Sequence, residues 1–280
     1  MRILRILYVK NEADIIDENL RWYFDQNIPA VIVDNGSTDG TQDICAHYKG
    51  NGVLELTVLQ TKGFDVIALL KKGYELANKH NPEWILIADA DEFFETKTME
   101  NIADFIEHQQ SRGFDVIQCD NMEFWMTDKD DPSIESVVKR ITYYSYFPSN
   151  MFRVFKNYPG IDIWTNIGHS PIMPAGINAC ISPEHIISRH YKFRSLEQAC
   201  RKVHAIRPEG DKHLQYAKYD DALSWYIIDS RLLTRREDNS EWNYSINYFG
   251  GRMNKEELRV YLGLESIRDV ERWLKKRSLR

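Results

Sequence analysis

Trp84-Ile85-Leu86-Ile87-Ala88 is a near-continuous apolar run, and it ends abruptly in Asp89-Ala90-Asp91-Glu92. A strand this apolar on both of its alternating faces must be covered on both sides. Strands of that kind belong to parallel sheets, where the crossover connections lay helices over each face. The chain therefore has to supply helices between its strands. It also has to place two carboxylates where the buried strand emerges.

The first 125 residues meet the first demand. Residues 3–9 read as a strand. Residues 14–26 read as a helix with Ile16, Leu20 and Tyr23 or Phe24 on one face, stopped by Asn27 and Pro29. A short strand at 30–33 ends at Asp34. A helix at 38–48, a strand at 53–58 and a helix at 64–79 follow, the last with Ile67, Leu70, Tyr74 and Ala77 in register. The strand at 84–88, a helix at 99–110 and a strand at 114–119 complete the alternation. This order predicts a doubly wound α/β sheet.

The second half changes character. Residues 137–146 and 151–155 read as antiparallel strands, with further strands at 176–181 and 185–188. Thr127-Asp128-Lys129-Asp130-Asp131-Pro132-Ser133 reads as a mobile polar loop able to close over a ligand. From Ser195 the pattern turns helical, with a capping box at Ser195 and Gln198. A second helix is signalled by Asn254 as its cap, Glu257 three residues on, and Gly263 at its end. The expected division is a domain over residues 1–194, in two halves at 1–125 and 126–194, followed by a helical region over 195–280. That last region reads as a cap on the sheet or a homodimer contact.

Composition narrows the function classes. The net charge of −6 across 280 residues disfavours a general nucleic-acid binder. No apolar run reaches the roughly 18 residues needed to span a bilayer. Membrane association is expected to be peripheral at most, through the basic Arg272-Trp273-Leu274-Lys275-Lys276-Arg277 stretch. Cys45, Cys119, Cys180 and Cys200 form no C-x-x-C pair. They read as reduced, mostly buried thiols, and the expected location is cytoplasmic.

Three strand ends carry acids. Asp89 and Asp91 follow the fourth strand, Asp34 ends the second, and Lys10-Asn11-Glu12 follows the first. In open α/β sheets ligands bind at the carboxyl ends of the strands. Two carboxylates two residues apart suit a hard divalent cation that also holds phosphate oxygens. Asp34 is placed to accept hydrogen bonds from a nucleobase or ribose. Asp39 reads as a helix cap rather than a catalytic group. A solvated charge run would not fall repeatedly at strand ends.

Lys10-Asn11-Glu12, Asp34-Asn35-Gly36-Ser37-Thr38-Asp39-Gly40-Thr41 and Asp89-Ala90-Asp91-Glu92-Phe93 together resemble the successive motifs of family 2 glycosyltransferases. The resemblance is clear over residues 1–125 and weaker beyond. It implies the GT-A fold, a nucleotide-sugar donor with a UDP-sugar favoured, Mn2+ or Mg2+, inversion at the anomeric carbon, and a saccharide or lipid-linked acceptor. By the same resemblance Asn11, Glu12 and Asp34 bind the nucleotide, Asp89 faces the ribose or sugar, and Asp91 ligates the metal. His190 becomes a second metal ligand, with Arg189, Lys192 and Arg194 beside it to neutralise diphosphate charge. Lys62, or Lys71, fills the basic position between the acidic motifs. His169 is expected to contact the sugar or acceptor, although Ser170 stands where relatives often carry a glutamate.

An inverting transfer needs a base for the acceptor hydroxyl. Asp162 is preferred, with Glu123 next and Asp120 and Glu184 behind them. The aromatics Trp125, Tyr143, Tyr144, Tyr146, Phe147 and Trp164 read as core more than as sugar platforms. A nucleotidyltransferase would carry a glycine-rich loop after its first strand, which Lys10-Asn11-Glu12 lacks. A dehalogenase-type phosphatase would carry D-x-D on its first strand rather than its fourth. A catalytically inactive nucleotide-sugar or carbohydrate-binding protein is the non-enzymatic alternative, marked by metal-dependent nucleotide binding without turnover.

Overall fold

Strand β1 (Ile3–Val9) is buried along its whole length, and its two faces feed different parts of the core. Leu4, Ile6 and Tyr8 join Val31, Val33, Leu69, Leu70 and Ala77 on one side. Leu7 and Val9 join Ile16, Leu20, Ile32 and Cys45 on the other. This period-two split is what a strand between two helical layers requires. The computed structural model describes residues 1–97, 101–158, 179–205, 227–228, 230, 233–237, 259, 265–266, 268–269 and 272. The expected strand end at 176–178, the cap at Asn254, and the candidates Asp162 and His169 lie outside the described residues.

The chain continues through α1 (Ile16–Phe24), β2 (Ala30–Asp34), α2 (Thr41–His47), β3 (Val53–Val58), α3 (Val66–Asn78), β4 (Trp84–Ile87), β5 (Glu92–Thr96) and α4 (Ile102–Ser111). Then come β6 (Val116–Thr127), α5 (Val137–Arg140), β7 (Tyr143–Lys156), β8 (Ile186–His190), α6 (Leu196–Ala205), β9 (Ile227–Ile228) and β10 (Thr234–Arg235). The sheet order is β3-β2-β1-β4-β7-β6-β8-β5. Strands β1 to β4 pair in parallel, β7 runs antiparallel to β4, and β5 runs antiparallel to β8. It is the expected α/β architecture, a mixed sheet flanked by helices.

Local chemistry sets the helix ends. Asp65 accepts the Ala68 N–H at 3.0 Å, so α3 starts after it and not at residue 64. Asn101 does the same for α4 through Ala103 at 2.8 Å. A Cβ added to Gly73 would lie 2.5 Å from Ile6 Cγ2, so glycine lets α3 press directly on β1.

One expectation fails for a physical reason. Val137 and Val138 do not begin a strand. Ser136 caps a single helical turn by accepting the Lys139 N–H at 3.2 Å, and the Arg140 side chain secures that turn by donating to the carbonyls of Ile134 and Arg194. The strand starts only at Tyr143. Residues 128–133 form the expected polar, turn-rich connection, between β6 and α5. Thr127 donates its N–H and its hydroxyl to the Asp130 carboxylate at 3.0 and 2.9 Å, and Asp131 holds Ser133 at 2.8 Å. Burial pushes the Asp130 carboxyl up to about 6, although the Thr127 bonds oppose it.

The chain forms two compact units, Met1–Met122 with Phe147–His190, and Glu123–Tyr146 with Tyr191–Arg280. Within the second, Phe124 stacks between Tyr144 and Tyr191 with ring centroids 5.5 and 4.7 Å away. Asp128 accepts the Ser230 N–H at 3.0 Å, and β10 pairs antiparallel with Tyr143 and Tyr144. At the start of α6 Ser195 Oγ accepts the Gln198 N–H at 3.1 Å, as the capping box requires. Gln198 reaches back to the N–H of Arg194, one residue earlier than in the standard motif.

Candidate active site

Parallel pairing fixes where the acids emerge. Val9 stands opposite Asp34, and Ile6 opposite Ile87. The chain therefore leaves β1, β2 and β4 at one edge of the first unit, and Glu12, Asp34 and Asp89 follow from those three adjacent strands.

The loops after β1 and β2 are latched together. Asn11 has φ +56°, in the left-handed region that asparagine tolerates. Its N–H donates to Ser37 Oγ at 2.9 Å, and its amide oxygen accepts the Thr38 N–H at 2.8 Å. Asn11, expected among the nucleotide-binding residues, thus has its side-chain oxygen engaged by the neighbouring loop. Glu12 donates its N–H to Thr41 Oγ1 at 2.9 Å, and Ala13 donates to Asp39 Oδ2 at 3.1 Å. Asp39 also accepts from Thr41. Burial opposes its charge, yet these bonds hold its carboxyl below the usual range. Asp39 is a structural latch, while the N-cap position of α2 is taken by Gly40 with no side-chain cap bond, so the expected capping by Asp39 is replaced by its hold on Ala13 and Thr41.

Asp34 is fully buried. Its Oδ1 accepts the Ser37 N–H at 2.7 Å and Gln42 Nε2 at 2.8 Å, while its Oδ2 is buried with no hydrogen-bond partner. Next to it, the Asn35 amide donates to Gly63 and accepts the Thr61 N–H at 2.7 Å. Those bonds draw the β3–α3 loop against the end of β2. Lys62 is exposed on that loop, and Lys71 is exposed on α3.

The turn from Ala88 to Glu92 is clamped from below. Arg5, buried in β1, donates to the Ala88 carbonyl at 3.0 and 3.2 Å and to the Asp89 carbonyl at 2.9 Å. Its guanidinium lies 4.0 Å from the Tyr23 ring centroid. Asn19 and Tyr23 on α1 both donate to the Glu92 carbonyl, at 2.9 and 3.1 Å. Glu92 returns its carboxylate to the Asp89 N–H at 2.9 Å. Burial pushes the Glu92 carboxyl up, with Arg153 opposing.

From β7, Arg153 stands 4.0 Å from Asp89 Oδ1 and 3.5 Å from Glu92 Oε1. Burial works against its charge, but Glu92 and Asp89 hold it firmly protonated. The β5–β8 register sets His190 opposite Glu92, and His190 Nε2 lies 3.6 Å from Asp91 Oδ1. Asp91 is buried and His190 is partly so. Asp91 and His190, the two expected metal ligands, thus stand side by side. Among the described residues no group of three His, Cys, Asp or Glu side chains gathers closely enough to hold a metal unaided.

Sequence reasoning missed Arg5, Arg153 and strand β5. The signal for the arginines was a single charge inside an apolar strand, in Ile3-Leu4-Arg5-Ile6-Leu7 and Met151-Phe152-Arg153-Val154-Phe155. Such a charge must be buried with a partner. Two cations expected at the diphosphate are engaged elsewhere. Arg189 pairs with Glu95 at 3.5 Å and lies over the Trp22 ring at 4.9 Å. Arg194 is buried in the second unit and donates to the Tyr191 carbonyl at 3.1 Å.

Of the base candidates, Asp120 is bound to His185 at 2.8 Å and Lys97 at 3.4 Å. Glu184 pairs with Arg112, which holds its carboxyl below the usual range. Glu123 is buried on β6 in the second unit. Trp125 donates to Ser145 and is partly buried, while Tyr144 is fully buried and stacked on Phe124, a packing role as read. Among the described residues no helix is long and apolar enough to cross a membrane.

Residues 6–166 match the family described as Glycosyl transferase family 2. No curated protein matches the chain. Among solved structures, the crystal structure of S. aureus TarS is similar at 17% identity, covering 74% of this chain and 39% of that one, with a TM-score of 0.46. The structure of S. aureus TarS 1-349 in complex with UDP is similar at 17% identity, covering 74% of this chain and 64% of that one, with a TM-score of 0.44. The chain thus spans well under half of the full TarS chain it matches.

Proposed function

Because the chain belongs to glycosyl transferase family 2, we propose that it is a glycosyltransferase that moves a sugar from a nucleoside-diphosphate sugar to an acceptor hydroxyl, with inversion and with a divalent cation. The observation carrying this reading is Asp34. It is a buried carboxylate with one oxygen anchored and the other open, at the edge where Glu12, Asp89 and Asp91 also emerge. An open carboxylate oxygen accepts a ring N–H, which uracil and guanine carry and adenine and cytosine lack, and of the two uridine diphosphate is the proposed carrier. Asn11 and Glu12 would shape the nucleotide's surroundings, with Lys62 on the facing loop.

Asp91 and His190 would hold Mn2+ or Mg2+. Two donors each about 2.1 Å from one cation stand roughly 3.0 to 4.2 Å apart, from right-angle to linear arrangement. Their 3.6 Å separation fits that range. An imidazole with a carboxylate suits Mn2+, and diphosphate oxygens would complete the shell. A cation bound there supplies Lewis-acid stabilisation of charge on the departing diphosphate. Asp89 accepts hydroxyls of the ribose or sugar and orients the donor. Asp162 is the proposed base that takes the acceptor hydroxyl proton as that oxygen attacks the anomeric carbon, with Glu123 as the alternative and His169 at the sugar or acceptor. The acceptor is a saccharide or a lipid-linked hydroxyl.

A panel of nucleotide sugars with Mn2+ tests this, comparing wild type with Asp91→Ala. The wild type is expected to transfer from one donor class, and the variant to lose at least about 100-fold while melting at a similar temperature. Undiminished transfer by Asp91→Ala would remove the metal from the mechanism.

A further inference from the structure

Arg153 stands between two carboxylates of the acidic turn, yet it makes no hydrogen bond to the first of them. Its 4.0 Å approach to Asp89 Oδ1 is an ion pair, too long for a hydrogen bond. Asp89 Oδ1 is buried and has no hydrogen-bond partner. The guanidinium thus balances the charge of Asp89 while leaving that oxygen's lone pairs open. The rest of Asp89 is already fixed. Its N–H goes to Glu92 at 2.9 Å and its carbonyl to Arg5 at 2.9 Å. Arg153 also reaches Glu92 at 3.5 Å, so one fork spans both ends of the turn. Tyr8, near the end of β1, completes the enclosure. Burial pushes its phenol up and the Asp89 carboxylate adds to that push, so it stays a neutral hydroxyl beside the pair.

We infer that Arg153 is a positioning residue for donor recognition, holding the Asp89 carboxylate aimed and charge-balanced so that its open oxygen accepts a hydroxyl of the nucleotide sugar. This rests on the transferase reading above, and it assigns the buried cation of the acidic turn to a late strand rather than to Lys62 or Lys71. A planar fork meets two carboxylates at once, which a lysine ammonium on a flexible stem does not reproduce.

A double-mutant cycle tests it, because a residue that acts through Asp89 has nothing left to do once Asp89 is altered. Arg153→Met should lower kcat/KM for the donor at least about 30-fold, with Arg153→Lys recovering only part of the loss. In an Asp89→Asn background the same change should cost less than about threefold. Losses that multiply across the cycle would overturn the inference, as would an Arg153→Met enzyme of wild-type efficiency. Removing Arg153 alone strands the buried Glu92 carboxylate and threatens folding, so the cycle is repeated with Glu92→Gln present in every arm. If the wild type transfers sugar from no donor, the transferase reading fails. The cycle is then read as calorimetric affinity for uridine diphosphate with Mn2+, under the same criterion. Absence of any such binding would sink both.

Discussion

Replacing Asp34 by asparagine separates the proposed donor site from the fold that carries it. In the free protein the substituted amide keeps, through its oxygen, the two bonds that Oδ1 accepts, from Ser37 at 2.7 Å and Gln42 at 2.8 Å. The change also removes a charge from a fully buried position, so the melting temperature should hold or rise. The open Oδ2, however, becomes an amide nitrogen. An acceptor waiting for a ring N–H turns into a donor facing a donor. A hydrogen bond to a charged group contributes roughly 1.5 to 3 kcal/mol, so affinity for uridine diphosphate should fall roughly 10- to 150-fold. Calorimetric titration reads that ratio, with Asp34→Ala as a control that also loses the Ser37 and Gln42 anchors and melts lower. An Asp34→Asn protein that binds the nucleotide as tightly as wild type would refute the assignment of Oδ2 as the base acceptor.

Asp130→Asn should stabilise the protein selectively at neutral pH. The folded carboxyl sits at about 6 against 3.8 for the free group, so the folded state keeps a proton that the unfolded state has released. Stability therefore falls as pH climbs through that window, by at most roughly 3 kcal/mol, and an amide in that place abolishes the step. Thermal melts of the two proteins at about pH 4 and about pH 7.5, on either side of the window, should diverge at the higher pH, and parallel curves would contradict the burial argument. Gly73→Ala should destabilise despite its better helix propensity of about 1 kcal/mol, because the new Cβ would meet Ile6 Cγ2 at 2.5 Å. Overpacking typically costs about 1 to 3 kcal/mol, so a net loss of about 1 to 2 is expected in melts, and a raised midpoint would refute it.

The acidic edge was legible because two independent patterns coincide there. The apolar run Trp84-Ile85-Leu86-Ile87 states that a strand is buried on both faces, and Asp89 states where it surfaces. The same reasoning reads past β5. Glu92 and Glu95 look like a solvated turn until Arg153 and Arg189, far along the chain, supply the charges that let them be buried. Likewise Val137-Val138 carries strand propensity, but the Ser136 cap and the Arg140 side chain decide for a helical turn. These outcomes turn on long-range ion pairs and on caps, which outweigh the local preference of a few residues. The arginines themselves were readable in principle. A lone guanidinium inside an apolar strand asks for a partner, although the sequence does not name it.

Arg5 ties competence to assembly. The carbonyls it holds belong to residues 88 and 89, more than eighty positions later, and its own strand lies between β2 and β4. The acidic edge therefore cannot take its final form while the first strand is undocked, even if the remaining strands have paired. Local fraying at the amino end would reach the acidic turn directly, and a ligand gripping that turn would in return tighten the start of the chain. Protection of the β1 amides against hydrogen exchange is then a readout of ligand occupancy at the proposed donor site.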